Sequence, residues 1–241
     1  MKKSNPTIIL VRPQLSENIG MAARAMDNFG LSKLSIVSPR DGWPSNKAKD
    51  ASKHGIKIIT NAKIFNNLEE SLKDYNFVIA TSNRKRFLTK KTYNDFNIFK
   101  KNIYEHNKVA ILFGPENSGL SNHDLRLANF IFTIPTANSN KSINLSHAVT
   151  LISHELFNFN STIVDSSDKI MKSDKVTKLD LSNYLDFLIN DLDSKDFFNP
   201  VEKKESMIDN IYSIYNKIDL SKKELRMLWG MHKKLKNQPK S

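Results

Sequence analysis

The sequence predicts an α/β domain, a mostly parallel sheet with helices on both faces, followed by a small helical extension. Three observations predict it. Short apolar runs alternate with helix-like segments up to about residue 158, the order that arises when helices connect parallel strands. The run Val109-Ala-Ile-Leu-Phe113 is apolar at every position, as a strand covered on both faces must be. Beyond Phe157 the apolar residues recur at helical spacing only.

The elements follow in order. Thr7–Val11 is the first strand, and Asn18 is read as the N-cap of a helix over 18–29, because an amide side chain can accept from the free N–H groups of a first turn. Gly20, Ala22, Ala23 and Ala25 leave room on that helix for another backbone or a ligand, and Arg24 is the one charge set among them. Leu34–Val37, 57–59, 77–80, Val109–Phe113 and 131–134 read as further strands, with helices near 46–53, 67–74, 94–105 and 121–128 and a longer one over 144–157. Asn, Ser, Asp and Lys dominate 158–178, which reads as a linker. Leu181, Leu185, Leu188 and Leu192 form one helical stripe, and Met207, Ile208, Ile211, Ile214 and Ile218 a second. Ser221-Lys-Lys-Glu224 is a capping box before Leu225, Leu228, His232 and Leu235. The last two helices are expected to form a hairpin too small to stand alone, resting on the main domain or on a second subunit. The division is therefore a sheet domain over 1–158, a linker over 159–178 and a helical extension over 179–241.

Composition narrows the function. The 241 residues suffice for one large domain or one domain with an appendage. There are 37 Lys and Arg against 25 Asp and Glu, a net charge of +12. That balance suits a polyanionic partner such as nucleic acid, and it is also what a solvated lysine-rich surface would show. Cysteine is absent, which excludes disulfides, thiolate metal sites and a cysteine nucleophile, and with it pyrimidine C5 methylation through a covalent cysteine adduct. No apolar run approaches the roughly 20 residues of a membrane span, and no signal-type stretch follows Met1-Lys-Lys-Ser-Asn-Pro6. The expectation is a cytoplasmic protein. No H-E-x-x-H spacing occurs among the six His, and no metal is required.

Three segments carry chemical interest. The first runs from strand Ile8-Ile-Leu-Val11 through Arg12 to Asn18-Ile-Gly-Met-Ala-Ala-Arg24. The second is Phe113-Gly-Pro-Glu-Asn-Ser-Gly-Leu120, a strand end whose turn holds the carboxylate of Glu116 between two glycines. In the third, strand end Ile134 leads through a polar loop to Ser142-Ile-Asn-Leu-Ser146 and an apolar helix. Each alone has an ordinary reading: tight helix packing, a turn, a helix cap. The nucleotide fingerprints G-x-G-x-x-G and G-K-[ST] are missing, although parallel sheets do bind ligands beyond the carboxyl ends of their strands.

Taken in order, the three segments resemble the motifs of the SPOUT superfamily of RNA methyltransferases, and most nearly its tRNA 2′-O-ribose branch of the TrmJ type, over roughly residues 6–157. Glu224-Leu-Arg-Met-Leu-Trp229 looks like the C-terminal extension of that branch. The resemblance implies a trefoil knot in the C-terminal part of the sheet domain, a homodimer and S-adenosyl-L-methionine as methyl donor. It implies a cofactor site on Thr81, Ser82 and Asn83, on Gly114, on Ile134, and on Ser142, Ile143, Asn144 and Leu145. Arg24 matches the arginine placed at the target ribose, where it would orient and polarise the 2′-hydroxyl, and Asn18 and Glu116 match its usual neighbours. Ser146 falls at a position that varies among relatives. The implied reaction is 2′-O-methylation of tRNA at a cytidine or uridine in anticodon-loop position 32. The alternatives are another tRNA position, ribosomal RNA, or a non-catalytic RNA-binding relative.

RNA contact is read from basic residues near an aromatic: Arg12 after the first strand, then Arg84-Lys-Arg86 with Phe87, and Lys90-Lys91. A solvated loop is the competing reading. Asn83 and Lys90-Lys91 depart from the pattern of relatives, where a small residue and Trp-Pro are common.

Overall fold

The computed structural model describes residues 5–84, 90–137, 142–162 and 175–236. Seven parallel strands form one sheet: β1 (Thr7–Val11), β2 (Leu34–Val37), β3 (Lys63–Phe65), β4 (Phe77–Thr81), β5 (Thr92–Tyr93), β6 (Val109–Phe113) and β7 (Phe130–Phe132). Their order is β3-β2-β1-β6-β4-β7-β5. The chain moves outward from β1 to β3, restarts on the other side at β4, and returns to insert β6 between β1 and β4. That reversal puts the topological switch point between β1 and β6, the kind of place where open parallel sheets bind ligands.

Helices cover both faces: α1 (Ser16–Asn28), α2 (Asn46–Ser52), α3 (Ile56–Thr60), α4 (Leu68–Leu72), α5 (Phe96–Glu105), α6 (Asn122–Arg126) and α7 (Leu145–Thr162). Alternation along β1 divides the core. Ile8 and Leu10 face Ile19, Met26, Phe99 and Val149 of α1, α5 and α7. Ile9 and Val11 face Leu68, Leu72 and Leu125 of α4 and α6. Every residue of β1 and β6 is buried, as an all-apolar central strand requires.

Local readings differ from the structure at three points. The expected strand at 57–59 is helical, within α3, and the third strand is Lys63–Phe65 instead. The Lys57 carbonyl accepts from the Asn61 N–H at 3.1 Å, the four-residue bond of a helix. Helix α1 begins at Ser16 behind Leu15, so Asn18 lies inside its first turn and is not the N-cap. The two-residue edge strand β5 is too short to show any period.

After residue 174 come α8 (Lys178–Asp193), α9 (Lys204–Lys217) and α10 (Lys222–Lys236). They enclose a small core of Leu181, Tyr184, Leu185, Tyr212 and Leu225, against which Leu127 of the sheet domain also packs. The Tyr184 hydroxyl is satisfied by Tyr215 Oη at 3.1 Å and His232 Nδ1 at 2.7 Å. Helix α10 rests on α8, while α9 rests on α6.

Candidate active site

A cavity of about 300 Å³ opens at the carboxyl ends of β4, β6 and β7, within the range of small-molecule sites. Phe113, Ile134, Ile143, Leu145 and Ala148 form its apolar walls, and Thr81, Ser82, Asn83 and Glu116 its polar side. The polar side is held by its neighbours. Thr81 Oγ1 donates to the Leu112 carbonyl at 2.7 Å, Ser82 N–H to the Phe132 carbonyl at 3.1 Å, and Asn83 Nδ2 to Thr136 Oγ1 at 3.3 Å. Gly114 is where the loop after β6 closes on itself. A Cβ there would stand 2.3 Å from the Leu120 nitrogen and 2.6 Å from the Gly119 carbonyl carbon, so no side chain fits.

Glu116 ties the three motif segments together. Its Oε2 accepts from the Gln14 N–H at 2.8 Å and its Oε1 from Asn18 Nδ2 at 2.8 Å. Asn18 Oδ1 accepts from Asn144 Nδ2 at 3.1 Å. Asn144 Oδ1 in turn accepts from the Ser146 N–H at 2.9 Å and Oγ at 2.7 Å, at the start of α7. Asn18 is 2% exposed, and its amide uses both a donor and an acceptor, which a buried amide needs. The carboxylate of Glu116 works as an acceptor that organises loops.

Of the cofactor positions implied by the sequence, Thr81, Ser82, Asn83, Gly114, Ile134, Ser142, Ile143 and Leu145 line the cavity. Asn144 does not, because its side chain is committed to Asn18 and to α7. Arg24 is also away from it. The residue is exposed, forms no hydrogen bond or ion pair among the described residues, and lies about 120° around the helix axis from Asn18. Gly20 faces neither cavity nor solvent: a Cβ there would meet the Ala48 carbonyl at 2.3 Å, so the small-residue face of α1 admits the backbone of α2.

Among the basic residues, Arg12 sits at the end of β1 with φ 47°, and its guanidinium pairs with buried Asp124. Arg84 lines the cavity and donates to the Asn117 carbonyl across its mouth. Arg86 lies outside the described residues. Lys90, read as an RNA contact, is half-buried instead and donates its amine to the carbonyls of Arg126, at 2.9 Å, and Ala128. Burial pushes its pKa down to about 7. Sequence reasoning missed Gln14, which acts through its backbone and leaves no signal. It also missed Asp124, whose signal was the capping box with Ser121. Among the described residues no cluster of His, Asp and Glu could hold a metal ion, and no helix is long and apolar enough to cross a membrane.

A parallel sheet whose strand order reverses beside a loop-built cavity defines an α/β ligand-binding domain. Residues 5–154 match the SpoU rRNA Methylase family, and the chain belongs to it. It is 34% identical over 154 residues to the tRNA (cytidine-2′-O-)-methyltransferase TrmJ of Methanocaldococcus jannaschii, a match covering 63% of this chain and 66% of that relative. It is 31% identical over 230 residues to an uncharacterised tRNA/rRNA methyltransferase of Haemophilus influenzae, covering 94% of this chain and 92% of the relative. The crystal structure of TrmJ from Z. mobilis ZM4 superposes with a TM-score of 0.87 at 35% identity, covering 97% of this chain and all of that one.

Proposed function

We propose that the protein transfers a methyl group from S-adenosyl-L-methionine to the 2′-hydroxyl of a tRNA ribose, at a cytidine or uridine in anticodon-loop position 32. The observation that carries this reading is the Gln14–Glu116–Asn18–Asn144 chain, which holds all three motif segments around one cavity. Kinship with methyltransferases named for tRNA 2′-O-methylation supports the substrate class. A second reading, ribosomal RNA as substrate, is favoured by the family's own description.

The cavity suits the cofactor. Its apolar walls can sandwich a flat heterocycle, and its polar side presents the fixed Thr81–Asn83 segment. Thr81–Asn83 and the Gly114 loop would hold S-adenosylmethionine there, and when bound it would supply an electrophilic sulfonium methyl for the ribose oxygen, with the thioether as leaving group and the hydroxyl proton released to solvent. The protein's part is to hold the hydroxyl in line and to ease loss of its proton. Asn18 and Glu116 hold the loops at the cavity. Arg24 polarises the hydroxyl as a fixed cation, since a guanidinium stays protonated.

Because Arg24 stands clear of the cavity in its own chain, this role calls for a homodimer in which it reaches the partner's cavity. Met21, at 42% exposure, shares the Arg24 face of α1, and Leu151 and Phe157 of α7 are also exposed apolar residues, as a buried interface would use. A trefoil knot in the C-terminal part of the sheet domain fits a cavity built jointly by the loop at Gly114 and the start of α7. We place the enzyme in the cytoplasm, where its substrate is, with the helices after residue 178 as its C-terminal extension.

Calorimetric titration with S-adenosylmethionine is expected to show one site per chain, and no binding at millimolar ligand would overturn the enzyme reading. Mapping ribose methylation on tRNA from cells with and without the gene is expected to show loss at position 32. An unchanged position 32 would refute that target and leave the chemistry standing.

A further inference from the structure

Helix α6 joins the cavity side of the molecule to the C-terminal helices. Near its start, Asp124 is 3% exposed, accepts from Ser121 N–H at 2.7 Å, and pairs with the Arg12 guanidinium, which is 43% exposed at the carboxyl edge of the sheet. At its end, Arg126 NH1 pairs with Asp209 Oδ1 of α9 at 3.1 Å, the two side chains only 14% and 17% exposed. The Arg126 guanidinium also stands 4.7 Å over the Tyr212 ring, and the Arg126 carbonyl accepts from Asn216 Nδ2 at 3.0 Å. A helix of five residues cannot hold its own place. Leu125 anchors it in the core, and charge pairs grip its two ends, one of which holds Arg12.

We propose that Asp209 is a positioning residue for RNA binding: by clamping Arg126 it fixes α6, and through Asp124 it holds Arg12 toward a tRNA phosphate. This rests on the tRNA reading above. Loosening the clamp leaves Arg12 charged but unplaced, so substrate affinity falls while the cavity between β4, β6 and β7 keeps its walls.

The test is a double-mutant cycle on the full-length protein, reading KM for tRNA, kcat, the S-adenosylmethionine Kd and thermal unfolding. Asp209→Asn is expected to raise the tRNA KM by about 3- to 10-fold, with kcat and the cofactor Kd within about twofold. Asp209→Glu is expected to restore most of the loss. In an Arg12→Ala background, Asp209→Asn is expected to add little. If Asp209→Asn does not fold, Arg126→Lys replaces it with the same expected split. An unchanged tRNA KM overturns the inference, as does a full-sized effect in the Arg12→Ala background or a cofactor Kd that worsens in step. A wild-type protein that binds S-adenosylmethionine but methylates no tRNA overturns the underlying reading, and is told apart because it fails before any substitution is made.

Discussion

Asn18 and Glu116, 98 residues apart in the chain, meet through a 2.8 Å hydrogen bond from the amide to the carboxylate. Glu116 also takes the Gln14 N–H and Asn18 also takes Asn144, so this one contact sits at the middle of a chain that crosses three loops. Replacing Glu116 by Gln turns one of its two acceptors into a donor, facing either the Gln14 N–H or the Asn18 amide. The expected cost is about 1–3 kcal/mol of stability, with at least a tenfold loss of methyl transfer. Thermal unfolding and single-turnover assays check the two parts.

Gly114 tests the cavity's construction. A Cβ at 2.3 Å from the Leu120 nitrogen meets backbone, which cannot rotate away. Gly114→Ala is expected to destabilise the fold by roughly 3 kcal/mol or more and to abolish S-adenosylmethionine binding in whatever protein still folds. A variant with wild-type melting and normal cofactor affinity would contradict the loop geometry.

Arg24 should behave in the opposite way. Its side chain is exposed and makes no polar contact within its own chain, so Arg24→Ala is expected to change stability by no more than about 0.5 kcal/mol. Cofactor binding should hold while methyl transfer is lost. Mixing Arg24→Ala with an Ile143→Trp protein, whose larger ring would fill the cavity from a half-buried position, is expected to regain activity if Arg24 works in the partner's cavity. Activity that never exceeds the sum of the two would count against the dimeric arrangement.

Lys90 makes stability depend on pH. Its pKa is pushed from 10.5 to about 7, first by burial and then by Lys217, and Lys178 is lowered by burial and by Lys90. Between pH 7 and about 10.5 the unfolded chain therefore binds more protons at Lys90 than the folded one, and stability rises with pH across that window. Below pH 7 both states are protonated and the burial penalty is constant. Lys90→Met is expected to flatten the rise, as urea unfolding at pH 7, 8 and 9 would report; parallel slopes would show that Lys90 is not the group responsible.

Asp219 sets the acid limit for the same region. His106 foremost, and Lys175, hold its carboxyl down to about 2, so its contribution is complete above the usual carboxylate range and is lost as pH falls from about 4 to about 2. Asp219→Asn is expected to remove that part of the acid transition, seen in melting curves between pH 5 and 2.

Much of this was legible in the chain. The all-apolar run at 109–113, the strand at Thr7–Val11 and the turn at Gly114 were encoded locally, because a strand buried on both faces and a turn without room for a Cβ each restrict the residues at their own positions. The segment at 57–59 misled because three residues cannot establish a period; the bond from the Asn61 N–H to the Lys57 carbonyl, four residues back, is what makes it helical. Lys90 read as a surface cation because a lysine stem looks the same wherever its amine ends; the carbonyls of Arg126 and Ala128 that receive it are nearly forty positions away.

By itself the sequence determined the α/β class, the three motif segments and the basic balance of the chain, since periodicity, turn chemistry and net charge are properties of neighbouring residues and of composition. Only the tertiary structure decided the partners: Glu116 with Gln14 and Asn18, Arg12 with Asp124, Arg24 turned away from its own cavity. The reason is the strand order. Inserting β6 between β1 and β4 brings together loops separated by about a hundred residues, and no local pattern records which loops an inserted strand will join.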